Sequence, residues 1–126
     1  MPHRITVKTV LVCDDSINTR ILLKTVFTKA GFEVLEAEDG FAAQQMALTH
    51  LPDLIVIDII MPGQDGITTI RNLKNSKDTD GIPVVVITGN ESLTKLLTKS
   101  GTTVAAVFEK PFRISALKAK VMEILC

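Results

Sequence analysis

The segment Leu54-Ile55-Val56-Ile57-Asp58-Ile59-Ile60-Met61-Pro62-Gly63 decides how this chain folds. Its first four residues are apolar and rich in β-branched side chains, which suits a strand buried on both faces. Asp58 closes the run, and Pro62-Gly63 break the chain soon after. A carboxylate at the end of a buried strand is costly unless it has partners or a task.

The same grammar repeats on either side of this segment. Thr9 to Cys13 reads as a buried strand, and Ser16 can cap the helix after it. In that helix Thr19, Leu22, Leu23, Val26, Phe27 and Ala30 fall on one stripe, and Gly31 ends it. Glu33 to Ala37 is a more polar strand that belongs near an edge. Asp39 caps a second helix with Ala43, Met46 and Ala47 inward, and Pro52 marks the following loop. After Asp58, Pro62, Gly63 and Gly66 precede a short helix carrying Ile67, Ile70 and Leu73. Asn75 to Gly81 is a polar loop. Pro83 opens the strand Val84 to Thr88, as Pro is tolerated at a strand start. Leu93, Leu96 and Leu97 mark a fourth helix, Val104 to Phe108 a fifth strand, and Ile114, Leu117, Val121, Ile124 and Leu125 a last helix.

Alternating apolar strands and helices predict an α/β fold, a doubly wound parallel sheet covered on both faces. Crossovers between parallel strands are right-handed, and ligands bind beyond the carboxyl ends of the strands. The chain has 126 residues, which suits one domain over 1–126 with its core at about 9–125. It is 46% hydrophobic, with 14 basic and 14 acidic residues and a formal net charge of +0. Nothing in that balance points to nucleic acid or a membrane surface. The two cysteines, Cys13 and Cys126, do not make a disulfide framework and fit a reducing compartment. Residues 1–8 lack an apolar signal core, and no apolar run approaches the roughly 20 residues of a membrane span. The expected location is the cytoplasm.

In such a sheet Asp14-Asp15 follow the first strand, Asp58 ends the third, Thr88 ends the fourth and Lys110-Pro111 follow the fifth. Each residue alone has an ordinary structural reading: a turn acid, a strand-end hydroxyl, a solvated lysine. If strands one, three, four and five are neighbours, the groups share one cleft. Two like charges at 4 Å and an effective dielectric near 20 repel by about 4 kcal/mol, so the acids must take up protons or meet cations. A hard divalent ion such as Mg²⁺ and the Lys110 ammonium both answer that need. The set fits phosphoryl transfer onto Asp58 as nucleophile, with Thr88 donating to the arriving group and Gly89 leaving room for it.

These residues make the chain resemble the receiver domains of two-component response regulators. The likeness rests on the acidic pair Asp14-Asp15, the segment Asp58 to Pro62, Asp65-Gly66, Thr88 and Lys110-Pro111-Phe112, and spans roughly Thr9 to Leu125. It implies a flavodoxin-like (βα)5 sandwich with strand order 2-1-3-4-5. It implies Mg²⁺, with Mn²⁺ as a substitute, held by Asp15, Asp58, the Ile60 carbonyl and, through water, Asp14. A cis Lys110-Pro111 peptide is also implied. The implied partners are a histidine kinase or histidine phosphotransfer protein as donor. An output domain or protein would meet the face of the fourth helix, fifth strand and fifth helix, and phosphorylation would drive homodimerisation there.

The chain departs from the family pattern in three places. Val107 stands where receivers often carry an aromatic switch residue, and the neighbouring Phe108 should point to the core instead. Ile60 and Asn90 occupy positions that in the family tune attack of water on the acyl phosphate, and apolar Ile60 should slow it. The stretch from Gly101 to Lys110 is about two residues longer than usual, so an irregular loop is expected. His3 and His50 have no expected role. The competing readings are a degenerate receiver used only for binding, an aspartyl-phosphate hydrolase, and a flavodoxin-like cofactor binder. Retention of every acceptor-site residue argues against the first. The second would need an Asp-x-Asp nucleophile segment after strand one, and the third a phosphate-cradling loop there.

Overall fold

The computed structural model describes residues 7–126; His3 lies outside them. Five strands alternate with five helices in the order β1 (Thr9–Cys13), α1 (Ile17–Lys29), β2 (Glu33–Ala37), α2 (Gly40–His50), β3 (Leu54–Asp58), α3 (Gly66–Lys74), β4 (Val84–Thr88), α4 (Glu91–Lys99), β5 (Ala106–Glu109) and α5 (Ile114–Leu125). The strands form one parallel sheet in the order β2-β1-β3-β4-β5. The order runs β1 to β2 in one direction and β3 to β5 in the other, so the switch point lies between β1 and β3.

Side-chain alternation along the strands sends residues to two cores. Val10, Val12, Leu54, Val56, Val85 and Ile87 pack against Leu23 and Phe27 of α1 and Leu117 and Val121 of α5. Leu11, Cys13, Ile55, Ile57, Val84 and Val86 pack against Ala43 and Ala47 of α2, Ile67, Ile70 and Leu73 of α3, and Leu97 of α4. Each fully buried Leu, Ile or Phe contributes about 1.5–3 kcal/mol relative to exposure. β1, β3 and β4 are therefore buried along almost their whole length, while β2 and β5 carry partly exposed positions.

Ser16 and Asp39 cap α1 and α2 as expected, and Asp65 and Asn90 cap α3 and α4, each by accepting from backbone N–H groups. Gly31, just after the C-cap of α1, takes φ +96°, a conformation open to glycine. Leu22, on the stripe expected of α1, is exposed, and so is Leu96 of α4, because each buried face is narrower than the helix's apolar residues. The fifth strand begins at Ala106 rather than Val104 and runs to Glu109. Its pairing partner, Val85, meets Ala106, and residues 102–105 form the expected irregular approach. The polar loop before β4 has a hidden anchor: Thr79 is buried and its hydroxyl donates to the Leu73 carbonyl at 2.7 Å.

Candidate functional site

Register sets the site. Cys13 pairs with Ile57, so Asp14 stands level with Asp58. Asp58 pairs with Ile87, which puts Thr88 one step beyond, and Thr88 pairs with Glu109, which puts Lys110 one step beyond that. Carboxylate oxygens of Asp14, Asp15 and Asp58 all lie within 4.8 Å of one another. Asp14 and Asp58 are buried and Asp15 is exposed.

Lys110 joins them. Its Nζ lies 2.9 Å from Asp58 Oδ2 and 3.9 Å from Asp14 Oδ2. The other Asp58 oxygen accepts from the Ile60 backbone N–H at 2.9 Å. Asp14 Oδ1 accepts from Ser16 N at 2.8 Å. Asp14 Oδ2 is buried with no hydrogen-bond partner among the described residues. An orphaned carboxylate oxygen is expensive, and one facing two further acids is a site for a cation. Three clustered carboxylates are a donor set that a hard ion such as Mg²⁺ takes. The residues fit that ion.

The electrostatics agree. Burial raises the pKa of Asp14 above the usual carboxylate value; the neighbouring Asp58 and Asp15 charges add to this, while the Ser16 N–H and Lys110 oppose it. Desolvation pulls Lys110 down, but the hydrogen bond and charge of Asp58, with Asp14 and Asp15, outweigh it and raise its pKa. Cys13, fully buried beside the acids, has its thiol pushed up by burial and by the Asp14 charge.

Other expected residues sit around this centre with distinct tasks. Thr88 is fully buried, and its hydroxyl faces the loop before α4, accepting from Asn90 N at 3.1 Å. Asn90 spends its side chain on the α4 cap, with Oδ1 accepting from Ser92 N at 2.9 Å and Leu93 N at 3.3 Å. Gly89 has open space where a Cβ would stand. The Ile60 side chain is exposed and lines an open apolar cavity of about 440 Å³ with Met61, Ile67, Leu93 and Leu96. The Lys110–Pro111 peptide is cis. Val107 is on the outer side of β5, while Phe108 packs into the α1/α5 core with its ring edge-on to Phe112.

Sequence reasoning missed Arg20. Its guanidinium donates to the Asp14 backbone carbonyl at 2.6 Å and pairs with Glu36 at 3.5 Å, tying the acidic turn to β2. The available signal was a long cation one turn into the helix that follows two acids. It also missed the packing of α3 onto the chain just beyond β3. A Cβ at Gly66 would lie 2.5 Å from Ile59 Cα, and Gly66 N donates to the Ile59 carbonyl at 2.8 Å.

Comparison with known proteins agrees with this geometry. Residues 10–122 match the family model of the response regulator receiver domain. The chain is 30% identical over 116 residues to sporulation initiation phosphotransferase F of Bacillus subtilis, covering 92% of each chain. It is 46% identical over 79 residues to the response regulator PleD of Caulobacter vibrioides, 63% of this chain but 17% of that longer protein. A putative response regulator from Chloroflexus aurantiacus superposes with a TM-score of 0.86 at 30% identity, covering 95% of this chain and 98% of the other. The chemotaxis response regulator CheY4 of Vibrio cholerae gives 0.85 at 26% identity, covering 94% and 99%. The chain belongs to the receiver domain family of two-component signalling.

Proposed function

We propose that this chain, a single receiver domain over 1–126, is a phosphorylation switch that accepts a phosphoryl group on Asp58. The observation that carries the reading is the Lys110–Asp58 bond of 2.9 Å beside a buried, unpartnered Asp14 oxygen. An Asp58 carboxylate oxygen attacks phosphorus on a phosphohistidine of a histidine kinase or histidine phosphotransfer protein. The P–N bond breaks, its electron pair returns to the imidazole, and an acyl phosphate remains on Asp58. Asp15 and Asp58, the Ile60 carbonyl and, through water, Asp14 would hold Mg²⁺, with Mn²⁺ as a substitute. When bound, the ion supplies positive charge at the phosphoryl oxygens. Lys110 supplies a second positive charge on the other side.

Thr88 gives up its contact with Asn90 N and turns its hydroxyl to the new phosphoryl oxygen, into the space beside Gly89. The domain turns over no independent substrate; it catalyses its own phosphorylation and slow dephosphorylation. Exposed Ile17 and Ile21, one turn apart on α1 beside the acidic turn, offer the donor an apolar landing. Output passes through α4, β5 and α5 to a partner or a second copy, without an aromatic switch at Val107. The switch works in the cytoplasm; no helix of the described residues is long and apolar enough to cross a membrane.

The test is intact-protein mass spectrometry after incubation with acetyl phosphate, with and without Mg²⁺. One added phosphoryl group that needs Mg²⁺ and is absent from Asp58→Ala supports the reading. No adduct on the wild type overturns it and leaves a binding module with a receiver fold.

A further inference from the structure

The loop between Asp58 and α3 is fastened to two helices by a single side chain. Gln64 Nε2 donates to Gln44 Oε1 of α2 at 2.9 Å and to Thr69 Oγ1 of α3 at 2.9 Å, and lies 3.4 Å from the Gly40 carbonyl. The orientation of the amide follows from its neighbours. Gly40 offers only a carbonyl, and the Thr69 hydroxyl proton is committed to the Asp65 carbonyl at 2.9 Å. Both therefore need a donor, which only the NH₂ end supplies. Asn72 of α3 donates to the same Gln44 oxygen at 3.1 Å and closes the network.

Backbone packing makes the fastening tight. A Cβ on Gly40 would lie 2.0 Å from the Gln64 carbonyl, and the corresponding space at Gly63 ends 3.7 Å away on the Phe41 ring. The N-terminus of α2 thus grips the loop at two consecutive residues. Upstream of that grip lies Ile60, whose N–H holds Asp58 Oδ1 at 2.9 Å. Downstream lies Gly66, pressed on the Ile59 backbone. The segment from Ile60 to Asp65 has no regular secondary structure, so nothing in its own backbone ladder fixes it.

We propose that Gln64 is a positioning residue for the acceptor site: its amide ties the loop after Asp58 to α2 and α3 and so fixes the Ile60 backbone against the Asp58 carboxylate. The inference rests on the phosphoacceptor reading for its chemical consequence, but not for the fastening itself. Supports of this kind, one step removed from the ligands, typically tune a metal site about tenfold or more.

The experiment uses the whole chain as wild type, Gln64→Met, which keeps the length and loses the donor, and Gln44→Ala, which removes the acceptor from the other side. Amide hydrogen exchange is followed residue by residue in metal-free protein, with α1 and α5 as internal references for global stability. A Mg²⁺ titration of the same amides follows. Both variants should exchange the Ile60 and Gly66 amides roughly tenfold faster with α1 and α5 unchanged, and need several-fold more Mg²⁺ for half-saturation. The double variant Gln44→Ala/Gln64→Met should fall short of the sum of the two single effects, because the Gln44–Gln64 bond is lost in both. Unchanged exchange at Ile60 and Gly66, or changes spread equally over all helices, overturns the proposal. So does an unchanged Mg²⁺ midpoint in variants whose loop has loosened. If wild type binds no Mg²⁺ and takes no phosphoryl group, the function reading fails instead, and the exchange data still decide whether Gln64 fastens the loop.

Discussion

Lys110 reaches Asp58 across the sheet, 2.9 Å from Nζ to Oδ2, although the two residues are 52 positions apart. The same ammonium stands 3.9 Å from Asp14. One cation from beyond the edge strand β5 therefore balances acids from β1 and β3. In Lys110→Met the two buried carboxylates lose that balance. Lys110 is 38% exposed, so solvent screens part of the effect, and the loss of stability should be about 1 kcal/mol by urea denaturation. Phosphorylation by acetyl phosphate should slow far more, on the order of a hundredfold, because the ammonium meets charge that grows in the transition state.

Asp14 makes the metal-free domain less stable at neutral pH. Its folded pKa lies above 3.8 because of burial and its acidic neighbours. Between 3.8 and the folded value the native state holds more protons than the unfolded chain, so stability falls as pH rises through that window. Asp65 has the opposite sign. Burial raises its pKa, but hydrogen bonds from Thr68 N and Oγ1 outweigh that and hold it below 3.8, so its contribution is lost only at lower pH. Chemical denaturation in a chelator from pH 3.5 to 7 should show the Asp14 slope in wild type and a flatter profile in Asp14→Asn. That variant should gain about 1 kcal/mol at pH 7.

A divalent ion should reverse this penalty. Mg²⁺ at ten times its dissociation constant adds about 1.4 kcal/mol through mass action, which for a domain of this size is a rise in Tm of about 5 °C or more. Differential scanning calorimetry should show the rise in wild type, its loss on adding chelator, and a smaller rise in Asp15→Asn.

Ile60 is expected to slow loss of the phosphoryl group: it stands two residues after Asp58, half exposed, and its side chain brings no polar group to hold water. Wild type should therefore lose its phosphoryl group more slowly than Ile60→Asn, by about tenfold in the decay of the adduct after donor removal. Faster decay in wild type would refute this role of Ile60.

The two neighbours on β5 should separate cleanly. Phe108→Ala removes a ring packed against Phe112 and the α1/α5 core and should cost about 2–3 kcal/mol, less than a fully buried Phe. Val107→Ala should stay within about 0.5 kcal/mol. Thermal unfolding of the two variants measures both.

The sequence made Asp58 and the inner strands legible because a residue with two buried faces leaves little choice of side chain. Leu54 to Asp58 and Val84 to Thr88 match the observed strands residue for residue. Edges were harder. Ala106–Glu109 is half exposed, so its start depends on pairing with Val85 rather than on its own apolarity. Leu22 looked like core because apolar residues at helical spacing carry no mark of which one meets the sheet. The acid–lysine cluster could be assembled from strand ends alone. The Gln64 network could not, since Gln44, Thr69 and Asn72 are ordinary polar residues until the helices bring them together.

The two thiols differ in a way useful to the bench. Cys13 is sealed in the sheet with its thiol held protonated, whereas Cys126 is exposed just after α5. A maleimide or alkylating fluorophore should therefore attach at one place only, with no engineered mutation. The dye would sit at the tail of α5, where docking of the proposed partner on that face would alter its surroundings, giving an optical readout in a protein that has neither Trp nor Tyr.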